Sequence, residues 1–166
     1  GTGCLGLGVK RFCPEADVTC VEKSPEAFRY LKKNAASALK QGTARAVEGD
    51  LFHYWQGLPE GELDLIVSNP PYIPTADIET LDPSVRDHEP HLALDGGADG
   101  LDFYRVIADK WRDALLPNGL MAFEVGIGQA DEVLRIMRAN GFGDIQIVKD
   151  LHGIPRVVYG RLCKEI

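Results

Sequence analysis

The hydrophobic residues of this chain change their spacing repeatedly, from a period of two to a period of about 3.6 and back. A period of two is typical of strands and a period of 3.6 of helices, so the pattern predicts strands and helices in alternation. Alternation of that kind indicates an α/β fold built on a largely parallel sheet. The chain has 166 residues, a length that suits one domain, and we assign residues 1–166 to it.

The predicted elements fill the chain outside one long segment. Strands are predicted over residues 17–22, 43–48, 63–68, 120–125, 143–149 and 156–162, and helices over 4–13, 101–116 and 129–139. A further helix is capped by Ser24, ends at Gly42, and carries on its apolar face Phe28, Leu31, Ala35 and Leu39. The apolar run in 63–68 is typical of a strand covered on both faces. Only a short connection separates the last two strands, which predicts an antiparallel pair.

Two segments interrupt this regular pattern. Residues 69–100 have no sustained period and contain several turn signals, such as DP and DGG. A segment of that length inside a compact domain is usually functional or disordered. Pro117-Asn118-Gly119 is predicted to end the helix over 101–116.

Composition and cysteine usage restrict the partners and the compartment. The net charge of −7 argues against broad electrostatic binding of nucleic acid, which needs clustered Lys and Arg. No apolar run approaches the length of a membrane span, so no membrane partner is expected. The cysteines match no zinc-ligand spacing, so no metal is expected; they are Cys4, Cys13, Cys20 and Cys163. We interpret them as buried thiols, which favours a reducing cytoplasm.

A short glycine segment, Gly1-Thr2-Gly3, leads directly into the first predicted helix. Glycines at such a turn let a ligand approach the backbone, and the helix N-terminus offers free N–H groups. Glu22 ends the next strand about 20 residues later, where an acid can accept both hydroxyls of a ribose. Asp50 follows the strand after that. These residues indicate a cofactor at the carboxyl edge of the sheet, and the alternative is a plain turn with solvated acids.

The most specific short motif is Asn69-Pro70-Pro71-Tyr72, directly after the strand over 63–68. Two consecutive prolines remove two N–H donors and fix two φ angles, so the loop is stiff and presents its carbonyl groups. Asn69 adds a side-chain oxygen, and Tyr72 adds a flat ring. Such a site can hold a planar NH2 group by two accepted hydrogen bonds while the ring packs against it. The alternative is a Pro-Pro turn with a core tyrosine.

The motif after its strand, with the glycine turn and the two acids, resembles class I S-adenosylmethionine-dependent N-methyltransferases. The run SNPPYIPTADIETLDPSVRDHEPHLALDGGADGLDFYR is similar to the protein-(glutamine-N5) methyltransferases that modify peptide-chain release factors, as are FEVGIGQADEV and KDLHGIPRVVYGRL. NPPY alone is shared with adenine-N6 DNA methyltransferases. The resemblance covers essentially the whole chain, and it implies a doubly wound, Rossmann-like sheet with an antiparallel C-terminal hairpin.

The resemblance also implies a role for each matching position. S-adenosylmethionine would be the cofactor and S-adenosylhomocysteine the product, and the cofactor-binding residues would be Gly1, Thr2, Gly3, Glu22, Asp50, Leu51, Phe52 and Asn69. Glu22 would hold the ribose and Asp50 the adenine amino group. The glutamine amide of a release factor, in its Gly-Gly-Gln motif, would be bound by Asn69, Pro70, Pro71 and Tyr72. Catalysis is assigned to Asn69, Pro70 and Tyr72.

The chain departs from the family pattern at its start. The family has an Asp-containing strand, a further glycine and an N-terminal helical domain before the position of Gly1, and it more often has Asp at the position of Glu22. A doubly wound sheet without its central first strand would expose apolar edges, so we expect the chain to be a fragment of a longer protein. The helical domain helps to recognise the release factor, so its absence would affect affinity for that partner.

A carboxamide nitrogen is a poor nucleophile because its lone pair is delocalised. We expect Asn69 and Pro70 to accept its two hydrogens and to orient the lone pair toward the methyl group. Neither His88 nor Glu89 is required as a general base, because the alkylated nitrogen can lose its proton to water.

Other functions remain open from the sequence. The acceptor could be a ribosomal-protein glutamine or the amino group of a nucleic-acid base, although the net charge disfavours the second. Gly1, Gly3 and Glu22 are also compatible with a nicotinamide dinucleotide-binding module, in which NPPY would have no role. A non-catalytic interaction domain is the third alternative.

Overall fold

The computed structural model describes residues 1–38 and 44–163. They fall into two compact units, Gly1–Gly57 and Leu58–Ile166, and each unit has its own sheet. The assignment of residues 1–166 to one domain stays a prediction. Three residues to which the sequence assigns a role in the second helix or second strand lie outside the described residues, namely Leu39, Gly42 and Thr43.

The first unit alternates helices and strands as predicted. Its helices are α1 (Cys4–Phe12), α2 (Pro25–Ala38) and α3 (Leu51–Tyr54), the last continued by a 3₁₀ turn. Its strands are β1 (Val18–Glu22) and β2 (Ala44–Glu48). The strands are parallel, with Val18 opposite Ala44 and Glu22 opposite Glu48, so their carboxyl ends lie side by side.

β1 and β2 can run parallel because α2 forms the crossover connection between them. Ser24 caps α2, because its Oγ accepts a hydrogen bond from the Ala27 N–H at 3.4 Å. Leu31 and Ala35 bury the apolar face of the helix and are 1% and 4% exposed. Burial of one leucine contributes about 2 kcal/mol, so this face accounts for much of the attachment of α2.

The second unit contains a four-stranded mixed sheet. Its strands are β3 (Leu63–Ser68), β4 (Leu115–Glu124), β5 (Phe142–Lys149) and β6 (Pro155–Leu162), in the spatial order β3-β4-β6-β5. β3 and β4 are parallel, whereas β6 is antiparallel to both of its neighbours. The predicted α/β fold with an antiparallel C-terminal hairpin is therefore confirmed.

The described part of the second unit has four α-helices. They are α4 (Pro83–Arg86), α5 (His91–Leu94), α6 (Asp102–Val106) and α7 (Ala130–Ala139), of which α7 packs on β5 and β6. The core lies along β4 and β6, and its fully buried side chains include Tyr104, Leu115, Met121, Phe123, Val133, Met137 and Val158. The rings of Tyr104 and Phe123 meet edge to face, with centroids 5.3 Å apart.

The helix predicted over 101–116 ends earlier than expected. After α6 the chain makes a π-helical turn over Ile107–Trp111 and a 3₁₀ turn over Arg112–Ala114, and β4 already begins at Leu115. The segment 117–119 therefore does not terminate a helix. It forms an irregularity inside β4. Leu63 of β3 pairs with Leu115, but Leu65 pairs with Leu120, so β4 has extra residues between these two pairs.

Two burial predictions are wrong. Leu65 of β3 is 37% exposed whereas Ile66 is buried, so β3 is not covered on both faces. The cysteines are not buried thiols: three are exposed and Cys20 is half-buried. All four are free.

The segment over 69–100 is built of short helical turns. A 3₁₀ helix over Thr75–Thr80 precedes α4 and α5, and an isolated parallel bridge joins Ile73 to Asp95. Across residues 1–38 and 44–163, no helix is long and apolar enough to cross a membrane.

Candidate functional site

The glycine segment forms a tight turn on the first unit. Gly3 is the N-cap of α1 and has φ 89°, a left-handed conformation that favours glycine. A Cβ at this position would lie 2.5 Å from a methyl carbon of Leu31, so the backbone packs directly on α2. Asn34 of α2 donates a hydrogen bond to the Thr2 carbonyl at 2.9 Å. The predicted glycine turn is therefore held by two contacts to α2.

Glu22 lies at the carboxyl end of β1, next to this turn. One carboxylate oxygen accepts the backbone N–H of Ser24 at 2.5 Å, and the other lies against the backbone nitrogen of Gly1. The side chain is only 12% exposed, so the carboxylate is fixed rather than freely solvated. The structure thus brings together Gly1 and Glu22, which the sequence assigns to one site.

Asp50 follows β2 and caps α3. Its Oδ1 accepts the Phe52 N–H at 3.0 Å, and its Oδ2 forms an ion pair with Lys23 at 2.8 Å. Partial burial acts to raise the pKa of Asp50, but the hydrogen bonds from Lys23 and Phe52 outweigh it and hold that pKa below its ordinary value. Asp50 is therefore an ionised acceptor at neutral pH. Leu51 and Phe52 are half-buried beside it.

The acids of this unit can suit a nucleoside. The carboxyl ends of β1 and β2 are adjacent, because Glu22 pairs with Glu48 and the Gly49 N–H donates to the Glu22 carbonyl at 3.0 Å. Glu22 and Asp50 supply acceptors for hydroxyl and amino donors. Among the described residues no group of three His, Cys, Asp or Glu side chains could hold a metal ion.

On the second unit, β3 ends directly before the NPPY motif. Asn69 is exposed, and within residues 1–38 and 44–163 its carboxamide makes no hydrogen bond to the protein. In the same part of the chain no N–H donates to the Pro70 carbonyl. Neither acceptor is therefore used within the part of the chain that the structure describes, where Asn69 is exposed and Pro70 is buried.

The chain beyond the motif is fastened to residues 94–97. The Ile73 N–H donates to the Leu94 carbonyl at 3.0 Å, and the Gly96 N–H donates to the Ile73 carbonyl at 2.8 Å. The Thr75 hydroxyl donates to Asp95 at 2.7 Å. This hydrogen bond and the Gly97 N–H hold the pKa of Asp95 below its ordinary value, although burial opposes them slightly. A single parallel bridge, Ile73 to Asp95, and the hydrogen bonds around it thus hold the chain after the motif against residues 94–97.

Three buried glycines surround Tyr72. A Cβ at Gly96 would lie 2.7 Å from the Tyr72 Cα, and one at Gly126 would lie 2.9 Å from a ring carbon of Tyr72. Gly100 has φ +75°, and a Cβ there would lie 2.3 Å from the Tyr72 carbonyl oxygen. Tyr72 is consequently half-buried in a cradle made of backbone.

Gln129 joins this cradle and was not assigned a role from the sequence. Its side-chain NH2 donates to the Tyr72 carbonyl at 2.8 Å and to the Gly100 carbonyl at 3.3 Å, and its Oε1 accepts the Gly126 N–H at 3.0 Å. The residue lies in the motif FEVGIGQADEV, but its partners lie 57 and 29 residues earlier. No local pattern could identify this contact.

Tyr104 supports the same region, and it too is missing from the site residues predicted from the sequence. It is fully buried, and its hydroxyl donates to the Glu124 carbonyl at 2.9 Å. Burial, with smaller effects of Tyr72 and Glu124, raises the pKa of Tyr104 well above its ordinary value. The hydroxyl therefore stays protonated and serves as a donor. By contrast, His88 and Glu89 are exposed on the turn after α4, as expected of residues outside the chemistry.

Comparison with known proteins identifies the family. The sequence model of the family described as methyltransferase small domain matches residues 1–96. The chain belongs to the methyltransferase small domain family. Solved methyltransferases share the fold: the chain has a TM-score of 0.62 to a methyltransferase from Pyrococcus furiosus, at 18% identity over 96% of this chain and 69% of that one.

The chain is also similar to more narrowly described proteins. It is 46% identical over 98% of its length to a release factor glutamine methyltransferase of Geobacter sulfurreducens, and 43% identical over 96% to one of Caulobacter vibrioides. It covers 55% and 54% of those relatives, so it spans about half of their length. A solved release factor-specific protein-(glutamine-N5) methyltransferase from Alicyclobacillus acidocaldarius matches with TM-score 0.51 and 26% identity, over 99% of this chain and 94% of that one. The resemblance expected from the sequence is confirmed.

Proposed function

We propose that this methyltransferase transfers a methyl group from S-adenosylmethionine to the side-chain amide nitrogen of a glutamine in a peptide-chain release factor. The observation that carries the proposal is a pair of acceptors at the end of β3 to which no described residue donates, the Asn69 carboxamide oxygen and the Pro70 carbonyl. A primary amide presents two N–H donors in one plane, which this pair complements. The similarity to release factor glutamine methyltransferases supports the choice of acceptor.

The first unit supplies groups suited to the cofactor. Glu22 would accept the two ribose hydroxyls, Asp50 would accept the adenine amino group, and Leu51 and Phe52 would contact the ring. Gly1, Thr2 and Gly3 would border the methionine part, and Asn69 is assigned to the cofactor as well as to the substrate. When bound, S-adenosylmethionine supplies an electrophilic methyl group on a sulfonium. Both carboxylates accept a backbone N–H that orients them, and the hydrogen bonds to Asp50 also hold its pKa below its ordinary value.

The second unit would prepare the acceptor nitrogen. Asn69 and Pro70 accept its two hydrogens, which fixes the amide plane and turns the nitrogen lone pair toward the reacting methyl group. Positive charge develops on the nitrogen during transfer, so both accepted hydrogen bonds strengthen in the transition state. Tyr72 packs over the amide, and Pro71 keeps the loop stiff. The alkylated nitrogen then releases a proton to water, and neither His88 nor Glu89 is needed as a base.

The proposed setting is the cytoplasm. Three of the four cysteines are exposed, and none of the four forms a disulfide. Exposed free thiols suit a reducing compartment. The proposed protein partner is the release factor, and neither a membrane nor strong nucleic-acid binding belongs to the proposal. The net charge of −7 disfavours the latter.

A transfer assay with tritium-labelled S-adenosylmethionine tests the proposed function. The protein at its full natural length is incubated with a release factor whose Gly-Gly-Gln glutamine is intact, and in parallel with one whose glutamine is changed to alanine. We expect label only on the intact factor. Label on both factors, or only on ribosomal protein or nucleic acid, would reject the proposed acceptor. Absence of cofactor binding in titration calorimetry would reject the proposed cofactor.

A further inference from the structure

We propose that Gln129 is a positioning residue for methyl transfer, which holds the NPPY loop in its active conformation through the backbone of Tyr72. The proposal rests on the proposed function, because it assigns the loop to acceptor binding. It concerns a residue outside the motif and outside every set of site residues predicted from the sequence.

The three hydrogen-bond partners of Gln129 allow its side-chain amide only one orientation. Its partners are one backbone N–H, that of Gly126, and two backbone carbonyls, those of Tyr72 and Gly100. An N–H can only donate and a carbonyl can only accept. The side-chain oxygen must therefore face Gly126, and the NH2 group must face the two carbonyls. A glutamine matches this set, and no other residue of similar size and shape does so.

The loop needs an external support of this kind. Pro70 and Pro71 have no N–H, so the motif cannot be fixed by hydrogen bonds donated from its own centre. The bond from Gln129 fixes the Tyr72 carbonyl, two residues beyond Pro70. Because Gln129 is also the N-cap residue of α7, it is carried by a regular element of the unit rather than by a free loop. The geometry thus links the acceptor-binding loop to the scaffold.

The substitution Gln129→Glu tests this link with little change of shape. It replaces the NH2 group by a carboxylate oxygen, which would face two carbonyl oxygens and repel both. We expect kcat to fall about 10- to 100-fold, because a misplaced acceptor site is sufficient to cause losses of that size. We expect the Kd of S-adenosylmethionine to change less than about twofold, because Gln129 is not among the proposed cofactor contacts. The activity of the variant should recover partly at low pH, where the introduced carboxyl group is protonated and donates one hydrogen bond.

The matched control is Gln146→Glu. Gln146 is exposed on β5, and its Oε1 accepts the Tyr159 hydroxyl at 2.8 Å, which a carboxylate can do equally well. This variant adds the same charge and should retain the kcat of the unchanged enzyme. Both variants are assayed at full natural length with the release factor, and their melting temperatures are recorded. Wild-type kcat in Gln129→Glu, or a loss of kcat that equals the fraction of unfolded protein, would overturn the proposal.

A spectroscopic measurement keeps this proposal separate from the proposed function. In protein labelled with 3-fluorotyrosine, the ¹⁹F resonance of Tyr72 is assigned through Tyr72→Phe and then recorded in both glutamate variants. We expect the Tyr72 resonance to shift or broaden in Gln129→Glu and to stay unchanged in Gln146→Glu. An unchanged resonance in Gln129→Glu would overturn the positioning role even if the unchanged enzyme methylated no release factor. Failure of methyl transfer in the unchanged enzyme would reject the proposed function alone.

Discussion

Gly100 lies directly against the backbone carbonyl of Tyr72, so close that a Cβ at residue 100 would come within 2.3 Å of that oxygen. The DGGADG segment is therefore required by the NPPY motif for a steric reason, because only a residue without a side chain allows this approach. The contact explains why the two motifs occur together in one sequence. Other glycines, such as Gly141, have the same left-handed conformation but no such contact. A comparison of Gly100 with them therefore distinguishes the effect of backbone conformation from the effect of the contact.

The substitution Gly100→Ala should cost more than left-handed strain alone. Gly141 has φ +84° and nothing within 4 Å of its Cβ position, so Gly141→Ala should lower the free energy of unfolding by about 1 kcal/mol. Gly100→Ala adds a clash with the Tyr72 carbonyl, and we expect a loss of about 2–4 kcal/mol together with loss of transfer. Urea unfolding and the transfer assay measure both effects. Equal losses for the two variants would show that the contact does not matter.

The substitution Glu22→Gln should weaken cofactor binding. Hydrogen bonds to a charged group contribute about 1.5–3 kcal/mol, so we expect the Kd of S-adenosylmethionine to rise about 10- to 100-fold. Glu48 is the register partner of Glu22 on β2 and is exposed, so Glu48→Gln removes the same charge from the neighbouring strand end. That control should bind the cofactor normally in titration calorimetry. A normal Kd for Glu22→Gln would remove Glu22 from the proposed site.

The ion pair between Lys23 and Asp50 should be visible in the acid titration. The pKa of Asp50 is depressed in the folded unit, so its contribution to stability is present above the unfolded pKa of about 3.9 and is lost as pH falls through the folded pKa. Lys23→Met should therefore raise the pKa of Asp50 in a ¹³C NMR titration and move acid unfolding to higher pH. Lys33→Met, with the same change of charge on α2, should leave the titration of Asp50 in place. A pKa of Asp50 that is insensitive to Lys23→Met contradicts the pairing.

The substitution Asn69→Ala should lower kcat by at least about 100-fold, because loss of one preorganised group at the reacting centre typically has that effect. Asn69→Asp keeps a side-chain oxygen acceptor and should retain more activity than the alanine variant. Single-turnover rates with labelled cofactor distinguish these cases. Retained turnover in Asn69→Ala would refute the assignment of Asn69 to the acceptor site.

Local periodicity was sufficient to predict most of the elements. Both parallel strands of the first unit, α7 and the C-terminal hairpin lie close to their predicted positions, because each has a clear pattern and a clear end signal. The helix after Gly100 was predicted too long. The π-helical turn over Ile107–Trp111 changes its phase, and Leu115 is fully buried as the first residue of β4. A buried leucine in a strand and a buried leucine in a helix cannot be distinguished by the local sequence pattern.

The candidate site could be predicted only in part, because some of its contacts join residues that are far apart in the sequence. Glu22, Asp50 and Asn69 follow predicted strands, and the structure places each at the carboxyl end of its strand or just after it. Their roles stay proposals. Gln129 could not be predicted to join the Tyr72 cradle, because its contact spans 57 residues and depends on the packing of two turns. The exposure of the cysteines likewise depends on what covers each turn, which local composition does not reveal.

In the proposed reaction the methyl group is placed on the side-chain nitrogen of one glutamine. The most direct test is tandem mass spectrometry of the release factor after reaction with methyl-deuterated S-adenosylmethionine and the full-length enzyme. Fragmentation of the peptide that contains Gly-Gly-Gln should place the deuterated methyl group on the glutamine side chain, and the parallel reaction with Asn69→Ala should leave that peptide unmodified. A methyl group on another residue, or a release factor that stays unmodified while the enzyme binds its cofactor, would contradict the claim.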